Sequence, residues 1–202
     1  MPRGERNSEA GGGGAREFRA GILLVRVGEF SRGLLEEISA RTRIAVAPGA
    51  LDPALALNPA RGQYDSTRLL AELGARHGEG LVVGATDCDL YIPVLTFVFG
   101  EAEMPGRAAI FSTRRLREEF YGLPQNRELL IERAVRELWH EVGHLRGLVH
   151  CPNWACVMSS AHSVDRVDAK GNEYCRECRG RSRNAPRGPG FHRPSRRRAV
   201  RP

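Results

Sequence analysis

The sequence predicts a mixed α/β (α+β) domain, a sheet with helices packed on it, and three observations carry that expectation. Apolar runs and amphipathic stretches alternate as βαβαβ over residues 21–85, two further apolar runs flank a Pro/Gly turn, and one long amphipathic stretch follows them. In order, GILLVRV at 21–27 reads as a buried strand. Residues 30–41 place Leu34, Leu35 and Ile38 on one face of a short helix, and residues 44–47 read as a second strand. Asp65 or Ser66 can cap a helix carrying Leu69, Leu70 and Leu73 as far as Arg76, and LVVGA at 81–85 follows as a strand. VLTFVFG at 94–100 and AAIFS at 108–112, either side of Pro105 and Gly106, read as a strand pair.

The long helix is expected from residue 125 or 126 to about 145, with Asn126 as its cap and Gly147 placed to end it. Ile131, Val135, Leu138, Val142 and Leu145 are spaced 4, 3, 4 and 3, so at about 100° per residue they form one stripe that should pack on the sheet. On the same wheel His140 and His144 lie on the opposite side, one turn apart, and are expected to point away from the core.

Composition narrows the function classes. The 202 residues are 41% hydrophobic and 27% charged, an ordinary globular balance that excludes collagen-like and coiled-coil chains. No run approaches the roughly 18 to 20 apolar residues of a membrane-spanning helix, and the start MPRGERNSEAGGGG lacks the apolar stretch of a secretory signal. A cytoplasmic, monomeric protein without a membrane partner is expected. Five cysteines in such a chain point to metal or catalytic roles before disulfides. The net charge of +7 belongs to the end of the chain: residues 179–202 hold nine Arg and no acid, whereas residues 1–178 hold 22 basic against 24 acidic residues. Residues 1–19 and 179–202 read as disordered tails around a domain at 20–178. An Arg-rich tail could neutralise phosphates, but Arg bias pervades the chain and Pro186, Pro189 and Pro194 interrupt the tail, so nucleic-acid binding is the weaker reading.

The chemistry concentrates in HEVGHLRGLVH, residues 140–150. Spacing of four on a helix lets His140 and His144 converge on one zinc ion, and Glu141 beside the first can act as general base toward a zinc-bound water. Gly147 can adopt positive φ and turn the chain so that His150 supplies a third nitrogen, leaving one position open for water or substrate. Three surface histidines, or an inactive metal-binding module, are the alternatives. Cys151, Cys156, Cys175 and Cys178 form CxxxxC and CxxC, a pattern suited to a closed structural zinc site that would order the polar stretch 152–174. Two disulfides or four free thiols are the other possibilities, and Cys88 reads as an ordinary buried or half-buried residue.

HEVGHLRGLVHCPNWACVM, followed by CREC at 175–178, resembles the archaemetzincins (archaelysins), small metzincin-like zinc proteases of archaea and vertebrates. TDCDLYIPVLTFVFGEA at 86–102 and the passage around Ser112 and Leu116 resemble the same family, so the likeness covers residues 20–178. It implies a metzincin-like zincin fold with an active-site helix and a zinc-clamped C-terminal loop. It also implies two zinc ions per chain, a catalytic one on His140, His144 and His150 with Glu141 as base, and a structural one on the four cysteines. Met158 would be the methionine beneath the active site. Peptides or proteins would be the substrates, with an aminopeptidase-like preference for short peptides, bound along a strand edge at 94–100 or 108–112. The 16 residues between Met158 and Cys175 are one fewer than the family's usual interval.

Overall fold

A computed structural model describes residues 21–78, 80–104 and 106–184. The expected tail at 1–19, the chain beyond 184 and Pro105 of the expected turn lie outside the described residues. Strand β1 (Ile22–Val27) leads into α1 (Arg32–Thr42), whose first turn is capped by the Ser31 hydroxyl accepting from the Leu34 N–H. After β2 (Ala45–Val46), β3 (Leu57–Asn58) and β4 (Gln63–Asp65) comes α2 (Ser66–Arg76), capped by Asp65 as its sequence suggested. Then follow β5 (Leu81–Thr86), β6 (Leu90–Tyr91), β7 (Gly100–Ala102) and β8 (Ala108–Ser112). Helix α3 (Arg127–Leu145) is capped by Asn126 and followed by α4 (Val164–Ala169) and α5 (Arg176–Asn184). Helix α5 crosses the expected domain boundary at 178 and continues to Asn184.

The main sheet is ordered β2-β1-β5-β8-β7, parallel throughout except for β7, which runs antiparallel at one edge. Its strands alternate faces with period two. Leu24, Val83, Ala85, Ala109 and Phe111 join Leu34, Leu35 and Ile38 of α1 and Ile131, Leu138, Val142 and Leu145 of α3 in one buried cluster. Val25, Val27, Val82 and Ile110 face the other way onto Leu69, Leu70 and Leu73 of α2. Thus α1 and α3 cover one face and α2 the other. A second sheet, β3-β4-β6, is built from strands too short for their sequence to announce.

Three expectations need correction. Residues 94–99 are not a strand: Val94 is 84% exposed, and only β7, beginning at Gly100, pairs with β8. Carbonyls that a ladder would have used are taken by distant side chains, Arg61 donating to Leu95 O and Thr96 O, and Gln63 to Thr96 O. The stretch 152–174 orders in part by its own apolar contacts, since Val164 and Val167 on α4 are buried. His140 does not face solvent either; it is buried, because residues 157–174 cover the side of α3 that the sheet leaves free.

Burial of the α3 stripe predicts a graded response. Leu138→Ala, at a fully buried position, should cost about 2 to 5 kcal/mol, and Val135→Ala, half-buried, distinctly less. Urea denaturation midpoints of the two variants check the order.

Candidate functional site

Helix α3 ends where the site begins. Gly147 takes φ +79°, and the Leu148 N–H returns to Gly143 O at 2.9 Å, so the chain reverses and brings His150 back beside the helix. The nearest ring nitrogens of His140, His144 and His150 all lie within 4.8 Å of one another, and burial falls from His140 (buried) through His144 to His150 (exposed). His140 Nδ1 lies 2.8 Å from Val157 O and His144 Nδ1 2.8 Å from Leu148 O. A carbonyl only accepts, so each Nδ1 carries the proton and each Nε2 keeps its lone pair. Those two Nε2 atoms are 3.1 Å apart, close to the roughly 3.3 Å edge of a tetrahedron with metal–nitrogen bonds of about 2.0 Å. The donor set fits a cation.

The four cysteines gather beside it. Cys151 Sγ is 3.8 Å from Cys175 Sγ, and Cys156 Sγ 3.8 Å from Cys178 Sγ, near the ~3.8 Å edge of a tetrahedral thiolate site and far beyond a disulfide's ~2.05 Å. All are free thiols, as is half-buried Cys88. At Cys175 burial acts to raise the pKa, but the Cys178 N–H and the neighbouring thiols outweigh it and bring it to about 7, while burial and those neighbours raise Cys178. The cluster therefore surrenders its first proton near neutrality.

Glu141 is buried, with its carboxylate against the Gly100 backbone, where a Cβ would collide with it. Burial, reinforced by Glu137, pushes its pKa well above the usual carboxylate range, with Lys170 opposing. Ser112 N–H donates to Phe99 O and Glu103 N–H to Ala108 O, so residues 99, 101 and 103 face β8. By alternation the backbone groups of Gly100 and Ala102 turn to the free edge beside Glu141. Strand β8, flanked by β5 and β7, has no free edge and is excluded as a docking strand.

The sequence model of peptidase family M54 matches residues 24–184, which takes in both clusters. The chain belongs to peptidase family M54. Archaemetzincin of Methanocaldococcus jannaschii is 48% identical over 126 residues, 62% of this chain and 69% of that one. Archaemetzincin of Thermococcus kodakarensis is 42% identical over 171 residues, 78% of this chain and 92% of its own. Among solved structures, the zinc-dependent peptidase of Methanocorpusculum labreanum superposes with a TM-score of 0.70 at 32% identity, covering 80% of this chain and 100% of its own.

Around both clusters the M54 peptidase builds contacts of which its sequence motifs had suggested only the place of Met158. Gly143, inside a helix where glycine costs about 1 kcal/mol relative to alanine, leaves room for Met158: a Cβ there would strike Met158 Sδ and the Tyr174 ring. Met158 is fully buried and Tyr174 Oη donates to Trp139 O at 2.5 Å. Glu137, one turn before Glu141, pairs with Lys170 at 2.6 Å, with side chains 4% and 1% exposed. Arg133, equally buried, forks onto Asp168 and also reaches Glu118 and Leu116 O. Met158, expected beneath the site, and the glycine inside HEVGH that makes room for it were the sequence signals for this cover. No helix of the described residues is long and apolar enough to cross a membrane.

Removing one member of the buried pair strands a charge. Lys170→Met should cost about 3 to 5 kcal/mol, and Lys170→Met with Glu137→Met markedly less, in thermal or urea unfolding. A pH effect follows as well. Burial lowers the pKa of His140, His144 and His150, so in chelator-treated protein their contribution is complete above the unfolded value of about 6.5 and is lost as pH falls below it. Raised Glu141 acts in the opposite direction, so the expected decline as pH falls from about 6.5 to 5 is read in a Glu141→Gln background, where adding His144→Ala should make it shallower by removing one of the three contributions.

Proposed function

We propose that this M54 chain is a zinc-dependent peptidase that holds a catalytic zinc on His140, His144 and His150 and a structural zinc on Cys151, Cys156, Cys175 and Cys178. The observation that carries the reading is the convergence of two Nε2 lone pairs, each fixed by an Nδ1–carbonyl bond, with a buried carboxylate one residue along the helix. The relatives' name, archaemetzincin, and the zinc-dependent peptidase among the solved structures agree with it. A zinc ion in the histidine cluster supplies a Lewis acid that polarises a peptide carbonyl and lowers the pKa of water.

The chain's own residues do the rest. Glu141 Oε is the proton acceptor for the attacking water and returns that proton to the leaving amine; burial raises its proton affinity and so makes it the stronger base. Gly100 and Ala102 offer their edge-facing N–H and C=O groups to an extended peptide, which adds to the sheet as a further strand. Because Glu141 abuts Gly100, a peptide on that edge brings its backbone to the base. The exposed His150 leaves this side of the cluster open to solvent and substrate. The four cysteines serve the fold, since a closed thiolate site leaves no position for substrate.

Glu141→Ala should lower cleavage of a peptide pool by at least about 100-fold while zinc per chain is unchanged. His144→Ala should lose both activity and one equivalent of zinc. Elemental analysis alongside the cleavage assay separates the two, and undiminished cleavage by Glu141→Ala would remove the base from this assignment.

A further inference from the structure

We infer that the cysteine cluster sets the metal affinity of the histidine cluster, the two being energetically coupled through the chain between them. The inference rests on the reading of both as zinc sites. Three links each begin within one residue of a cysteine and end at, or next to, a histidine of the other cluster. His150 and Cys151 are consecutive, so one peptide unit joins a member of each set. Val157, next to Cys156, supplies the carbonyl that accepts from His140 Nδ1 at 2.8 Å and so fixes which nitrogen faces the cluster. Tyr174, next to Cys175, donates its hydroxyl to Trp139 O, one residue before His140.

Two further contacts tighten the arrangement. The Cys151 N–H donates to Met158 O at 2.9 Å, and Met158 Sδ fills the space above Gly143, the neighbour of His144. The Val157 N–H donates to Glu173 O at 3.0 Å, tying the two cysteine-bearing segments together from the side that faces α3. The stretch 159–173 contributes only a six-residue helix of its own. Val164, Val167 and the Lys170–Glu137 and Arg133–Asp168 pairs hold its middle, and the four thiols hold the chain where it enters and leaves, so loss of that anchor loosens the Val157 carbonyl, the Met158 contact and the chain direction at His150 together. Outer contacts of this kind set ligand orientation, and their removal costs about 10 to 100-fold in metal affinity. Coupling between two binding sites is reciprocal, so filling the histidine cluster must tighten the cysteine cluster by the same factor.

The test uses the full chain and two metal probes. Co²⁺ separates the sites, because thiolate ligation gives an intense charge-transfer absorption that imidazole ligation lacks, and zinc affinities are read by competition with chelators of graded strength. In Cys178→Ser, with helicity retained by circular dichroism, zinc affinity at the histidine cluster should fall at least about tenfold. An unchanged affinity overturns the coupling. Should Cys178→Ser not fold, His144→Ala, with all four cysteines intact, decides: zinc should leave its thiolates at a correspondingly weaker chelator strength than in the parent chain, and equal release overturns the inference. If the parent chain takes up a single equivalent of Co²⁺ with the full thiolate absorption, it is the reading of the histidine cluster as a metal site that fails. Two equivalents that bind independently leave that reading intact and defeat only the coupling.

Discussion

The bond from His140 Nδ1 to Val157 O is the contact on which the site depends, because it joins the two halves that have to meet. Helix α3 is buried on two sides. Its apolar stripe is held by the sheet, and its other side by residues 157–174. The second burial is costly, since that side carries Arg133, Glu137, His140 and Glu141, and each needs a partner once water is excluded. Asp168 and Glu118 answer Arg133, Lys170 answers Glu137, and Val157 O answers His140. Only Glu141 has its carboxylate against bare backbone, at Gly100. Burial raises its proton affinity and the nearby Glu137 adds to the rise, so of this row it is the carboxylate suited to proton transfer.

Sheet order then places this group against the backbone of an edge strand. Strand β7 is the one antiparallel member and lies at the edge, so its outward backbone groups have no strand partner beyond them among the described residues. The period of two sends Glu101 to the opposite face, where its carboxylate accepts from Ser66 and Thr67 at the start of α2. Gly100 and Ala102 are thereby left small and level beside α3. A side chain at 100 would collide with Glu141 and with Ile110 O, so the closeness of base and edge depends on glycine at that place.

What could be read from the sequence was what local spacing encodes. The caps Asn126 and Asp65, the stripe on α3 and the turn at Gly147 were all legible because each is settled within one or two helical turns. The cluster of His140, His144 and His150 was legible for the same reason. Residues 94–99 failed that test: their composition is strand-like, yet Arg61 and Gln63, some thirty residues earlier, claim the carbonyls. His140 looked solvent-facing on a helical wheel because the wheel contains one helix, and the cover arrives from a segment that follows it. Glu137 and Lys170 carry no motif at all; their pairing spans 33 positions and becomes visible only when α4 docks.

The choice of lysine in that pair has its own logic. The sequence carries a single Lys against 30 Arg, and the Lys lies where a charge is almost wholly buried. Nearby Arg133 shows what a buried guanidinium requires: two oxygens of Asp168, one of Glu118 and a backbone carbonyl share its donors. Around Glu137 the neighbours are imidazoles and the Glu141 carboxylate, and a broad donor fork there would compete for that carboxylate. An ammonium is a compact charge on a slender stem, able to pair with Glu137 at 2.6 Å while acting on Glu141 only through its charge. The same lysine raises the cost of a proton on His140, where it is the largest influence after burial, and so favours the neutral ring that a cation requires. One buried cation thus fastens the C-terminal segment to α3 and keeps the histidine cluster in its ligating form.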